Sequence, residues 1–151
     1  MYSIELLKEM RRKFTSLIDG LSSEELNKTP EGFNNNIAWN YGHAIVSGYL
    51  LCYVSSGVEP EVEIPFVNKY RKGSKPEEFA GKEEIETLKK ASDYFFSKIE
   101  KDWAADKFNN CKPYTTQTFG LEMQTKEEIF TNIFGHDVLH FSMATALKKV
   151  L

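Results

Sequence analysis

Four stretches of this chain place apolar residues at steps of three and four, the repeat of a helix face turned toward a core. In the first, residues 3–19, Ile4, Leu7, Phe14, Ile18 and then Leu21 fall near one stripe, and Gly20 supplies a stop signal. Arg11 interrupts the stripe, which predicts a partly open end of the assembly. Ser22 and Glu25 have the spacing of a capping box for a short helical turn. The second stretch comes after Asn34, Asn35 and Asn36, any of which suits an N-cap, and runs over residues 37–56 to Gly57. It is apolar on more than one face and is expected to be the most buried helix. The third, residues 82–103, carries Ile85, Leu88, Phe95 and Ile99, with Glu83, Glu84 and Glu86 near its start, where acids complement the helix dipole. The fourth opens at Thr125, three residues before Glu128 in a second capping box, and runs to the C-terminus through Lys148 and Lys149.

No convincing strand, internal repeat or low-complexity tract breaks this pattern. Two connections are long, residues 57–81 and 104–124, and they hold Phe66, Tyr70, Phe108, Tyr114 and Phe119. Four helices with two long connections predict an all-α four-helix bundle. Long ordered loops on such a scaffold often build a site.

Size and charge narrow the rest. The 151 residues, 17.4 kDa, suit one domain covering residues 1–151. A chain of this length buries roughly 68–70% of its unfolded surface, so it needs neither disulfide nor metal merely to fold. With 19 basic and 22 acidic residues the net charge is −3, which argues against nucleic acid and against an anionic membrane surface as partners. No run of about 18 apolar residues could span a bilayer, and the N-terminal segment lacks the apolar core of a signal peptide. Cys52 and Cys111 show no CxxC spacing. Cys52 reads as core, and Cys111 reads as a loop thiol with no activating neighbour. The expectation is a reduced, cytoplasmic protein.

The histidines are the most informative residues. There are three, at 43, 136 and 140. The fourth stretch has the inward seam Ile129, Ile133, His136, His140, Met143, Leu147, and the second has Trp39, His43, Val46, Leu50, Tyr53. An imidazole among aliphatic groups is costly unless its nitrogens find partners. For one ring the ordinary partner is a side chain or a water. His136 and His140, four residues apart, project from one helix face and can offer two nitrogens to one ion, with His43 supplying a third. Three protein nitrogens plus an open position describe a catalytic zinc site rather than a structural one. Imidazole equally suits nickel, copper and iron.

Other readings of the same residues compete. His136-Asp-Val-Leu-His140 is close to the H-E-x-x-H helix of zinc proteases, but Asp137 stands where the glutamate acts as base. Asp137 is the nearest candidate base by position, although a solvated or capping aspartate is the plainer role. A di-iron bundle needs Glu-x-x-His pairs. Ile133 and Asp137 occupy those positions here, so that reading is set aside. Three hydrogen-bonded core histidines with no metal are the structural alternative.

Together, Trp39-Asn-Tyr-Gly-His43 midway along the second helix and His136-Asp-Val-Leu-His140 in the last make the chain resemble the DinB/YfiT-like superfamily. Helix order, helix lengths and the long second-to-third connection extend the resemblance over nearly the whole chain. It implies an up-down-down-up bundle in which His43, His136 and His140 bind a divalent metal (zinc, nickel or iron) with water completing the shell. It also implies a homodimer, and thiol-dependent transferase or isomerase chemistry using low-molecular-weight thiols such as bacillithiol or mycothiol. One departure stands out. The family often continues the last histidine as H-x-G-Q, whereas here Ser142 and Met143 replace the glycine and glutamine. Methionine cannot donate the hydrogen bond that a glutamine would give a ligand or a metal-bound water. Two functional expectations stay open: a metal-dependent S-transferase or hydrolase acting on a small molecule, and a non-catalytic metal-stabilised bundle that binds a small molecule or partner.

Overall fold

The computed structural model describes residues 2–151. Helix α1, Tyr2–Asp19, buries Ile4, Leu7, Phe14 and Ile18. Helix α2, Ser23–Asn27, begins at the anticipated capping box: Ser22 Oγ accepts from the Glu25 N–H and the Glu25 carboxylate accepts from the Ser22 N–H. Of the three asparagines, Asn36 is the cap of α3, Ile37–Tyr49, its Oδ1 accepting from the Trp39 N–H at 2.8 Å. Every residue of α3 is buried, as its two apolar faces require. Within the first long connection lies a short helix α4, Val67–Tyr70. Helix α5, Lys82–Ala104, turns Ile85, Leu88, Phe95 and Ile99 inward. Helix α6, Lys126–Lys148, starts at the Thr125–Glu128 capping box.

Polar contacts fix the directions of the four long helices. Lys8 pairs with Glu100 at 2.9 Å and Asp19 with Lys89 at 2.6 Å, so α1 and α5 run antiparallel. Arg11 bonds Asp137 and Phe14 packs on Phe141, so α1 and α6 run parallel. Asn40 meets His140 while His43 meets His136, so α3 opposes α6. Tyr49 donates to the Ala91 carbonyl and Tyr53 to Asp102, so α3 and α5 are parallel. The bundle is therefore up-down-down-up.

Four details depart from the sequence reading. The second long helix changes character at Tyr49, and Leu50–Ser55 continues it as a π-helix. The wider turns rotate this last part of the helix relative to the His43 face. Tyr53 swings to α5, where its hydroxyl donates to Asp102 Oδ2 at 2.8 Å. The second long connection contains a two-stranded antiparallel ribbon, β1 Tyr114–Thr115 and β2 Glu122–Met123, with Tyr114 opposite Met123. Met143 leaves the core seam and is 44% exposed, while Ala144 is fully buried. Arg11 does not open the bundle end, being only 2% exposed. The looser seam is the one between α1 and α5, along which runs a cleft of about 590 Å³ walled by Thr15, Ser92 and Phe96. Among the described residues, no helix is long and apolar enough to cross a membrane.

Candidate metal centre

His43 projects from the middle of α3, and His136 and His140 from successive turns of α6. Because these helices are antiparallel neighbours, the three rings meet. Their centroids lie 5.1 Å apart for His43 and His136, 4.5 Å for His43 and His140, and 4.5 Å for His136 and His140. One ring nitrogen from each residue lies within 4.8 Å of the other two. A tetrahedral ion with Zn–N bonds of ~2.0–2.1 Å holds its nitrogens about 3.4 Å apart. The rings thus need to close by little more than about an ångström, which side-chain rotation supplies.

The hydrogen bonds decide which nitrogen each ring offers. The Tyr70 carbonyl, 2.6 Å from His43 Nδ1, can only accept, so Nδ1 carries the proton. Asn40 Nδ2 donates to the Asn36 carbonyl, which turns Asn40 Oδ1 toward His140 Nδ1 at 2.8 Å. That nitrogen too is the donor. In both rings the lone pair is left on Nε2, and for His43 it takes a hydrogen bond from the Ser47 hydroxyl at 3.2 Å. The Trp39 indole stacks on His43 with centroids 4.5 Å apart and limits its tilt.

Burial keeps His43 and His140 in the form that ligates. Burial, followed by the nearby His136 charge, lowers His43 to about 4 against the donated Tyr70 bond, which works the other way. Burial and then the charges of His136 and His43 lower His140 to about 3. Both are neutral at pH 7. An all-imidazole donor set, with two of its rings oriented from behind by Tyr70 and Asn40, fits a borderline divalent ion such as zinc or nickel.

The rings form one wall of a cavity of about 410 Å³. Leu50 and Leu51 of the π-helical segment and Leu139 of α6 give it an apolar side. Thr115, Thr116 and Tyr114, next to or within β1, give it a polar side, and Lys72 reaches it from the first long connection. The ribbon is held over the cavity at two points. The Tyr114 hydroxyl donates to the Leu51 carbonyl at 2.6 Å, and Lys72 donates to Gln117.

All three histidines singled out in the sequence are therefore brought to one point. Asp137 is not the solvated or capping residue expected from its position. It is fully buried, and its Oδ2 is 2.6 Å from an Arg11 guanidinium nitrogen. Of the loop aromatics, Tyr70 and Phe108 are buried, Tyr114 is half-buried, and Phe66 and Phe119 are more exposed. Cys52 is buried as expected. Cys111 is a free thiol in the second long connection, as expected, but half-buried: it donates to the Phe108 carbonyl, and burial raises its pKa. The sequence reading missed Asn40 and Tyr70 as ring anchors. Asn40, three residues before His43, carried a signal, since it shares that inward face. Tyr70 carried none, because a backbone carbonyl has no residue identity.

A comparison with curated proteins and with solved structures returns no match. The resemblance carried by the two histidine motifs is upheld at the level of family: a model of the DinB superfamily matches residues 6–144, a span that holds all three histidines and reaches into all four long helices, and the chain belongs to that superfamily.

Proposed function

We propose that this chain is a metal-dependent enzyme that transfers a group to or from a small thiol, with His43, His136 and His140 as ligands of one divalent ion. The observation that carries the reading is the convergence of three imidazoles beside a 410 Å³ cavity, two of them with Nδ1 already committed to an oxygen. A bound zinc, nickel or iron ion supplies Lewis-acid chemistry there, lowering the pKa of a coordinated thiol so that it reacts as thiolate at neutral pH.

The chain's own residues do the remaining work. Tyr70 and Asn40 hold two rings in the ligating tautomer. Leu50, Leu51 and Leu139 give the cavity an apolar side, and the Thr116 hydroxyl on the other, which donates to Asn132 Oδ1, can accept a hydrogen bond from a polar substrate. Among the described residues, Lys72 is the only side chain with a fixed charge on the cavity wall, which favours a substrate carrying a carboxylate or similar anion. A thiol suits the site better than hydrolysis does, because hydrolysis asks for a general base. Asp137, the nearest carboxylate in sequence, is tied to Arg11 instead. The partners in this reading are a small anionic thiol and its electrophilic co-substrate, and the protein works as a cytoplasmic homodimer without nucleic acid or membrane contacts.

The exposed Met143 favours a second reading, a metal-stabilised bundle that binds a small molecule without turning it over, since the glutamine donor of the family pattern is missing. Elemental analysis of untagged protein and Zn²⁺ titration of the apo form test the ligand set. About one equivalent of metal is expected, and His136→Ala should abolish it with the fold intact. A thiol-transfer assay against alkyl halide and epoxide electrophiles then separates the two readings. Full metal occupancy with no transfer would leave the binding bundle. No saturable metal binding would leave three clustered core histidines with no ion to hold.

A further inference from the structure

We infer that Asp137 is the positioning residue for His136, and that Arg11 holds Asp137 in the orientation this requires. The inference rests on the ligand reading above and adds a residue pair that neither the histidine spacing nor the family match assigns.

Among the described residues, two polar side-chain atoms are buried without a hydrogen-bond partner, His136 Nδ1 and Asp137 Oδ1. They lie 3.8 Å from one another. Native proteins rarely leave a buried donor and a buried acceptor unpaired, and here each is the obvious complement of the other. The manner in which Arg11 binds Asp137 explains why Oδ1 is free. Guanidinium and carboxylate commonly pair as two forks, which would occupy both oxygens. In this structure Nε at 2.8 Å and Nη2 at 2.6 Å both approach Oδ2. The second oxygen is thereby left facing the histidine.

The other two rings show what Oδ1 is for. His43 Nδ1 has the Tyr70 carbonyl and His140 Nδ1 has Asn40 Oδ1. With Asp137 Oδ1 behind His136 Nδ1, each ring has its own oxygen, and Nε2 is the nitrogen that each ring offers the ion. Drawing His136 toward an ion at that centre needs only a small ring rotation to bring its Nδ1–H onto Oδ1. Arg11 also reaches across the bundle: Nη2 donates to the Ala44 carbonyl at 3.1 Å and Nη1 to Ser92 Oγ at 3.4 Å. Ala44 is next to His43 in the chain, and Asp137 is next to His136. One guanidinium from α1 therefore fixes the spacing of α3 and α6 at the residues beside two of the ligands. This is also why an arginine interrupts the apolar stripe of α1.

Asparagine at 137 cannot reproduce the arrangement. If its oxygen faces Arg11, its NH₂ meets the His136 N–H, and if it is flipped, its NH₂ meets the guanidinium. The test uses untagged full-length protein, Zn²⁺ affinity by chelator competition, and proton NMR of the Co²⁺-loaded form. Hyperfine-shifted, exchangeable ring N–H signals report each Nδ1–H separately in that form. The wild type should show three such signals. Asp137→Asn should lose or move one of them, leave the other two, and weaken Zn²⁺ binding by about ten- to a hundred-fold. Should Asp137→Asn fail to fold, the double variant Arg11→Met with Asp137→Leu removes both charges at similar volume. It should fold and show the same single-signal change and the same loss of affinity. Three unchanged signals and wild-type affinity in a folded variant would overturn the role of Asp137 while sparing the ligand reading. Failure of wild-type protein to bind Zn²⁺ or Co²⁺ would overturn both.

Discussion

Gly42 lies against the ring of Tyr70 so closely that a Cβ at position 42 would overlap the ring, and the Tyr70 carbonyl takes the Nδ1 proton of the adjacent His43 at 2.6 Å. The missing side chain thus sets how near the first long connection can come to the metal centre. In an ordinary helix interior Gly→Ala gains about 1 kcal/mol. Here the added methyl must displace a buried ring, and overpacking costs about 1–3 kcal/mol. Gly42→Ala should therefore lower the melting temperature, and it should weaken Zn²⁺ binding by withdrawing the His43 anchor. A variant more stable than wild type with unchanged affinity would show that the contact with Tyr70 is incidental.

The pH dependence of the metal-free protein is set by the two lowered histidines. In the unfolded chain each titrates near ~6.5, whereas burial holds His43 at about 4 and His140 at about 3 in the fold. Below pH ~6.5 the unfolded state takes up protons that the folded state refuses, so stability falls as pH falls. The contribution is fully present above that pH and declines toward the folded-state values. Its slope approaches about 1.4 kcal/mol per pH unit for each ring. Urea midpoints of apo protein measured from pH 8 to pH 5 should be level at first and then drop. A flat profile across that window would mean that the rings are solvated and titrate normally.

Lys72 offers a way to separate substrate recognition from metal binding. It lines the cavity but hydrogen-bonds to none of the three rings, donating instead to Gln117. Lys72→Ala should leave metal stoichiometry unchanged and raise KM for an anionic thiol by roughly ten-fold, the worth of one charge contact of about 1.4 kcal/mol. Lys72→Glu should raise it further, and a neutral thiol should feel neither change. Equal effects on charged and neutral thiols would remove Lys72 from the recognition of anions.

Scaffold and site should also be separable from the far side of the bundle. Phe95 on α5 is fully buried, with its ring 4.7 Å from Tyr49 and 5.4 Å from Phe96, and it is not part of the histidine cavity. Phe95→Ala should cost about 3–5 kcal/mol through lost contacts and the void left behind. Well below its lowered melting temperature the variant should still bind one equivalent of Zn²⁺. Loss of metal binding in the folded variant would show that the α3–α5 packing helps to set the site.

Elements whose signals are local are well described by the residues alone. The capping boxes at Ser22 and Thr125 are where the residue spacing puts them, and the stripes of α1 and α5 face inward. The histidines are legible because polar rings on apolar seams demand an explanation. The expected seam of α6 fails at one interior position while its last member, Leu147, is fully buried. The helix also buries Phe130, Asp137 and Ala144 along one side of that seam, so Met143, on the opposite side, turns outward. The π-helical turns after Tyr49 leave no mark in the residue pattern, since Leu50–Ser55 is as apolar as the helix before it. The partnership of Arg11 and Asp137 spans 126 positions along the chain, and no periodicity within one helix can report that. A cation in the middle of an apolar stripe is the available clue, and it marks half of an ion pair rather than a gap in the packing.

The parallel packing of the first and last long helices also dictates an order of events when the chain is made. Two of the three imidazoles belong to α6, which ends three residues before Leu151, and the acid beside them answers to an arginine on α1. A nascent chain still missing its last helix has one imidazole of the three and an unpaired arginine in its forming interior. The centre can assemble only after α6 has been synthesised, when that helix docks between α1 and α3 and closes a loop that spans almost the whole chain. Capture of a metal ion by this chain therefore waits for α6, and an occupied site certifies that α1 and α6 have come together.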